Sequence, residues 1–283
     1  MDIKSFETIV KTEKSARNYL KKACQKNGRI FCHRCHERKV YRIRRDRFRC
    51  TRCGYEFAIF TGRWIGSLNI PAKDWLWLIK LFELEVSARK ASLQTGISYP
   101  TVLKAFNVIR ESIVAHTDDG MYILGGEVEA DESYFGGRRK GKRGRGAKNK
   151  IPVFGILERD GLVKVEVIMD VSAASLLGMT VKTVRRGTIV YTDKFKSYDS
   201  LMFCGYRHLR VDHGKRFARG KVYINGLEGF WSYAKERLIK FHGVSKDKFP
   251  LYIKEMEFRY NHRDQSIFPL LTSYICDFVA NPL

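Results

Sequence analysis

Residues 125–131 read Gly-Gly-Glu-Val-Glu-Ala-Asp, and the chain runs on through Glu132-Ser-Tyr-Phe135. The alternation predicts a strand over 126–134 that turns Val128 and Ala130 to one face and Asp131 to the other. Working outward, strands are expected at 151–159, 162–169, 188–192 and 206–211. Helices are expected at 172–185, 197–202, 226–241 and 250–262. Three early strands followed by alternating elements predict an α/β domain, a mixed five-stranded sheet covered by helices. The polar break His116-Thr-Asp-Asp-Gly120 precedes it and sets its expected span at 122–283.

Two more acids fall where such a sheet could gather them. Asp193 follows the apolar strand Thr188-Ile-Val-Tyr-Thr192, at the point where a side chain leaves the core. Glu228 opens a helix whose apolar stripe is Leu227, Phe230, Trp231, Ala234 and Leu238. Lys235 lies on the same flank of that helix as Glu228, about 10 Å along the axis. Carboxylates so arranged suit hard divalent cations such as Mg²⁺ or Mn²⁺, which bind a few carboxylates plus substrate phosphate. Two such ions can clamp the attacking and leaving oxygens of an in-line displacement at phosphorus. On spacing alone a plainer reading stands beside this one. Asn225 and Glu228 have capping-box spacing, Asp193 could cap the segment after its strand, and Asp131 could be one more exposed acid beside Glu127, Glu129 and Glu132.

The N-terminal half carries a different signature. Cys32-x2-Cys35-x14-Cys50-x2-Cys53 supplies two knuckles, enough thiolates for a closed tetrahedral zinc site in a ribbon spanning 28–60. Between the knuckles, Lys39 to Arg49 alternates apolar with basic residues, as a hairpin with one solvated face does. So small a unit draws much of its folding energy from the metal. Residues 1–27 are expected to form one short basic helix. Over 61–118, Asp74 to Leu84 predicts a core helix in which Trp75 and Trp77 pack. Two helices around Gly96 then predict a helix-turn-helix, with Ser87 as an N-cap. The second of the pair would offer Tyr99, Thr101, Lys104, Asn107 and Arg110 to a DNA groove.

Charge points the same way. With 53 Lys+Arg against 30 Asp+Glu, the chain carries a formal +23 and calls for a polyanionic partner. An acidic membrane surface is the weaker rival, since no apolar run approaches the 18 or so residues of a span. The N-terminus lacks a signal-peptide pattern, so a cytoplasmic, nucleoid-associated protein is expected. Gly136 to Lys150 holds eight basic and no acidic residues. Its Arg138, Arg139, Lys140, Lys142, Arg143 and Arg145 are candidate phosphate contacts, or the segment is a solvated linker. Arg259, His262 and Arg263 form a second phosphate-facing patch or simply a basic surface.

The motifs Val128-Glu-Ala-Asp-Glu-Ser-Tyr-Phe-Gly-Gly137, Tyr191-Thr-Asp-Lys-Phe-Lys-Ser-Tyr198 and Asn225-Gly-Leu-Glu-Gly-Phe-Trp-Ser-Tyr-Ala-Lys235 resemble the transposase domain of the ISXO-two-like insertion-sequence family. That family also carries an N-terminal zinc ribbon and helix-turn-helix, so the resemblance extends over nearly the whole chain. It implies a ribonuclease-H-like, integrase-like DDE domain with Asp131, Asp193 and Glu228 as the acidic triad. The family pattern also admits Asn at the third position, which makes Asn225 the alternative to Glu228. Lys235 matches a DNA-contacting basic residue, and His213 matches a recurrent histidine. The resemblance implies a transposase that binds terminal inverted repeats of double-stranded DNA and, with two Mg²⁺ or Mn²⁺ ions, cuts and joins them to target DNA. Assembly as a homodimer or larger is implied by the need to process two ends. A DNA-binding regulator with an idle nuclease-like domain, or a nuclease without strand transfer, are the rival readings.

Overall fold

The computed structural model describes residues 1–25, 30–44, 46–117, 123–136, 150–159, 161–193, 202, 204–210 and 224–279. The chain divides into two compact units. Met1–His116 and Asp264–Leu283 form the first, and Thr117–Arg263 the second.

The second unit is built on a five-stranded sheet. Its strands are β4 (Glu127–Phe135), β5 (Ile151–Glu158), β6 (Val163–Val167), β7 (Ile189–Thr192) and β8 (Arg207–Arg210), in the order β6-β5-β4-β7-β8. β4, β5 and β6 run antiparallel as a meander, whereas β7 and β8 add in parallel on the other side of β4. This is the expected mixed five-stranded sheet, with the first strand of the domain at its centre. Period-two alternation gives the sheet two apolar faces. Val128, Ala130, Phe154, Ile156 and Val190 pack under α6 (Ala173–Thr183). Val153, Leu157, Val163 and Val165 pack under α7 (Asn225–Ile239) and α8 (Phe249–Asn261).

Helix α8 also covers the free edge of β6. Glu257 Oε2 accepts from Val165 N–H at 2.8 Å, and Asn261 bonds both Val163 N–H and Val163 C=O at 2.8 and 2.9 Å. An edge satisfied in this way cannot template another strand. Arg259, expected on a surface patch, is instead buried beside Glu255, its Nε 2.8 Å from the carboxylate. The expected helix at 197–202 lies almost wholly outside the described residues.

In the first unit the expected single N-terminal helix is two, α1 (Ile3–Ile9) and α2 (Glu13–Cys24). Thr12 and Ser15 form a reciprocal capping box that restarts the helix. The zinc ribbon follows, with β1 (Val40–Arg44), β2 (Arg47–Cys50) and β3 (Glu56–Ala58) as an antiparallel three-stranded sheet. β1 is exposed along most of its length rather than on one face. Helices α3 (Ala72–Glu83), α4 (Ala88–Thr95) and α5 (Tyr99–Thr117) come next. Trp75 is buried, and Trp77 packs edge-on against Phe6 at 4.8 Å. The C-terminal helix α9 (Phe268–Cys276) belongs to this unit and not to the sheet domain, contrary to the expected 122–283 span. It does so because Phe268 is buried against Phe6, 5.5 Å between rings, and the Cys276 carbonyl accepts from buried Arg63.

Three helices that lack a capping side chain of their own receive a glutamate from elsewhere in their unit. Glu13 accepts from Ala72 and Lys73 N–H at the start of α3, both at 2.9 Å. Glu83 accepts from Phe268 N–H at the start of α9 at 3.0 Å. Glu129 accepts from Leu227 N–H in the first turn of α7 at 2.9 Å. Each carboxylate satisfies orphan donors and meets the positive end of the helix dipole. The cap on α7 matters most, because it ties that helix to the central strand.

Candidate active site and zinc centre

Glu127, Glu129 and Asp131 alternate along one face of β4 beneath α7. Arg159 answers the first two, with Nη1 2.7 Å from Glu127 and Nε 3.4 Å from Glu129. Its guanidinium carbon lies 3.8 Å from the centre of the Tyr191 ring. Glu129 is almost fully buried, and burial raises its pKa despite the bonds from the α7 backbone and from Arg159. The exposed-acid reading of Glu129 and Glu132 is thus corrected, since both side chains are buried.

Asp131 is held differently. Its described partner is the Trp231 indole, which donates to Oδ2 at 3.1 Å. The ring reaches it because Asp131 lies opposite Gly155 on β5, where a Cβ would stand 2.8 Å from Trp231. Gly226 makes a similar allowance, since a Cβ there would sit 2.6 Å from Leu157 and 3.1 Å from Glu129. These two glycines let α7 come down onto the strand that carries the acids.

Asp193 emerges from the end of β7. The parallel pairing of β4 with β7 ends at Glu129↔Tyr191, two residues short of Asp131 and of Asp193 on their respective strands. Their charges meet. Burial, the Glu132 carboxylate and the Asp193 carboxylate together push Asp131 up to about 7 from 3.8. A buried acid flanked by two others is a site that a divalent cation would relieve.

On α7, Asn225 and Glu228 are both exposed in the first turn. The helix N-cap is Ile224, without a side-chain bond, so the capping-box reading of Asn225 and Glu228 does not apply. At 100° per residue, Glu228 and Lys235 lie within about 20° of one another around the helix. Lys235 Nζ stands 5.7 Å from the Phe135 ring centroid; partial burial lowers its pKa while Asp131 opposes the shift. Among the described residues, Asp131, Asp193 and Glu228 do not form a set with ligand oxygens all within 4.8 Å of one another.

The four ribbon cysteines do form such a set. Their sulfurs are separated by 3.5 to 3.7 Å in the Cys32–Cys53, Cys35–Cys50 and Cys35–Cys53 pairs. A tetrahedral zinc with bonds of about 2.3 Å spaces its sulfurs by about 3.8 Å, so the donors fit that ion. Both knuckles turn through a left-handed residue one place after their second cysteine, His36 at φ 58° and Gly54 at φ 67°.

Among the groove candidates, Tyr99 and Lys104 are exposed and Thr101 is half-buried, on the helix that follows the αL turn at Gly96. Ser87 caps the first helix of the pair, accepting from Lys90 N–H. Arg110 is corrected: it is buried, 5.3 Å from the centre of the Phe82 ring, and cannot reach a groove. Arg138, Arg139, Lys140, Lys142, Arg143, Arg145 and His213 lie outside the described residues. Glu129, Trp231, Gly155 and Gly226 are the site residues that sequence reasoning missed. The signal available was a glycine in the first turn of a helix, where only a close approach makes it useful.

The sheet order and the cysteine cluster define a zinc-ribbon protein with a mixed five-stranded α/β domain. Residues 123–261 match the ISXO2-like transposase domain and residues 11–56 the transposase zinc-ribbon domain. The chain belongs to the ISXO2-like transposases. An uncharacterized transposase-like protein of Haemophilus influenzae is 43% identical over 98 residues, 35% of this chain and 80% of that one. An uncharacterized protein in transposable element ISH50 of Halobacterium salinarum is 26% identical, covering 92% of this chain and 93% of the other. Among solved structures, the Mos1 strand transfer complex aligns at a TM-score of 0.30 and 12% identity, over 71% of this chain and 73% of that one, a likeness too slight to build on.

Proposed function

We propose that this transposase binds the ends of its insertion sequence and catalyses metal-dependent strand cleavage and strand transfer, with Asp131, Asp193 and Glu228 as the acidic triad. The observation that carries this reading is Asp131, midway along the central strand, with Asp193 just past the end of the parallel neighbour, where burial and the Glu132 and Asp193 carboxylates hold Asp131 far above an ordinary carboxylate. Divalent cations, Mg²⁺ or Mn²⁺, would activate a water or a 3′-hydroxyl and offset charge at the phosphodiester. The protein's part is to present oxygens at fixed points. Trp231 orients the Asp131 carboxylate, leaving its other oxygen for a cation, and Glu129 anchors the helix that brings the third ligand. Glu228 is favoured over Asn225 because it shares the helix flank of Lys235, which senses Asp131. Lys235 would contact a phosphate beside the cut.

In the first unit, Tyr99, Thr101 and Lys104 would face the DNA of the end. Arg138, Arg139, Lys140, Lys142, Arg143 and Arg145 would neutralise phosphates. A homodimer or larger assembly on DNA would bring two ends together. The test is purified protein with end-containing DNA and either metal. Nicking at the ends, followed by joining of a pre-cut 3′ end to a target, is the expected outcome. Binding without nicking would favour an idle-domain regulator, and nicking without joining a nuclease.

A further inference from the structure

Beyond the acids, the second unit holds a cavity of about 590 Å³ between the end of β4, the start of β5, the last turns of α7 and the start of α8. That volume falls within the roughly 300–1,000 Å³ of small-molecule sites. Half-buried Tyr134 and the edges of the buried Phe135 and Phe249 line it, while Lys150, Lys235 and His242 supply cationic or hydrogen-bonding groups. His242 holds a left-handed backbone at φ 40°, a conformation seldom adopted by a residue with a Cβ. Lys235 belongs both to this cavity and to the electrostatic surroundings of Asp131, so cavity and acids are neighbours.

We propose that this cavity receives a single unpaired nucleotide of the DNA strand being processed, its base against Tyr134 and the edges of Phe135 and Phe249 and its phosphate against Lys150 and Lys235. This rests on the proposed strand-cutting site for its location, but the binding it describes requires no chemistry. Aromatic faces take any base by stacking, and cationic groups at the same site take the phosphate. A purely apolar segment of protein would leave the two lysines without counter-charge. A base lodged here would hold the strand open beside Asp131.

The test uses the full-length protein with no added divalent cation, so that no strand is cut and the ribbon keeps its zinc, and a forked duplex with 2-aminopurine in its unpaired arm. Wild-type protein should change the 2-aminopurine fluorescence and prefer the fork over the fully paired duplex. Ile239→Glu adds a carboxylate at an exposed position on the cavity wall, 70% accessible and safe for folding. Leu238→Trp fills the space. Each should abolish the fluorescence change and weaken fork binding by about 5- to 150-fold, the range base–aromatic stacking spans, while paired-duplex binding stays as in wild type. An unchanged signal or unchanged fork preference in both variants would overturn the proposal. So would protection of Ile239 by a second protein copy with no 2-aminopurine response. Cleavage by wild type with a failed fork test would leave the cutting reading intact, and the converse would leave the nucleotide site intact.

Discussion

Asp131→Asn should make the metal-free protein more stable while removing its activity. Asp131 is carried from 3.8 to about 7 by burial, Glu132 and Asp193. At about 1.4 kcal/mol per pK unit that corresponds to roughly 4 kcal/mol, and solvent reaching the half-buried group trims it to about 2–4 kcal/mol. The sign follows from proton binding. Between pH 3.8 and about 7 the folded state keeps a proton that the unfolded state has released, so this group's contribution to stability declines as pH rises and levels off above about 7. Asparagine has no charge to bury and retains an oxygen for the Trp231 N–H. Urea unfolding of both proteins, zinc-loaded and with no other divalent cation added, at pH 5 and pH 8 measures the difference. The variant should gain by about 1–2.5 kcal/mol at pH 8 relative to pH 5, since only the two or so pK units between pH 5 and about 7 fall in that window. Saturating Mn²⁺ should restore stability to the wild type alone, by about 2.7 kcal/mol at a hundredfold excess over Kd. A variant no more stable than wild type at pH 8, with the same response to Mn²⁺, would refute the reasoning.

Other consequences follow from the same geometry. Gly155→Ala would drive a Cβ to 2.8 Å from the Trp231 ring and displace the donor to Asp131; a cost of about 1–3 kcal/mol in urea unfolding, with reduced strand cleavage, is expected. Glu129→Ala should cost about 2–3 kcal/mol and speed hydrogen exchange at the Leu227 amide; unchanged exchange would remove the anchoring role. Strong chelation or Cys53→Ser should release one zinc ion and unfold the ribbon, while the unfolding of a separately expressed 117–263 segment is unaffected by the chelator. Lys104→Ala should lower the salt slope of end binding by about one; an unaltered slope would take Lys104 off the phosphate backbone.

Much of this architecture is legible in the amino-acid order because alternation and helical periodicity are local. β4 could be read from Glu127-Val-Glu-Ala-Asp131, and the buried stripe of α7 from Leu227, Phe230, Trp231 and Ala234. The cysteine spacing gave the ribbon for the same reason. What escaped reading depends on partners distant in sequence. Glu129 resembles a solvated acid until the start of α7 arrives 98 residues later. Arg110 and Arg259 look like surface cations, yet Phe82 and Glu255 draw them inside. Helix α9 reads as the end of the catalytic domain, but its apolar face is completed by Phe6 at the other end of the chain. The break between α1 and α2 was open to inspection, since Thr12 and Ser15 have cap spacing, although serine is a weaker N3 partner than glutamate.

On the proposed reading, Asp131 and Asp193 together hold divalent cations at the point of DNA cleavage. Anomalous diffraction from crystals of the protein on end DNA, soaked with Mn²⁺, tests it most directly. Manganese density should lie between the carboxylates of Asp131 and Asp193, completed by a ligand from the first turn of α7 and by a DNA phosphate. Manganese bound elsewhere, with those two carboxylates left bare against the DNA, would contradict it.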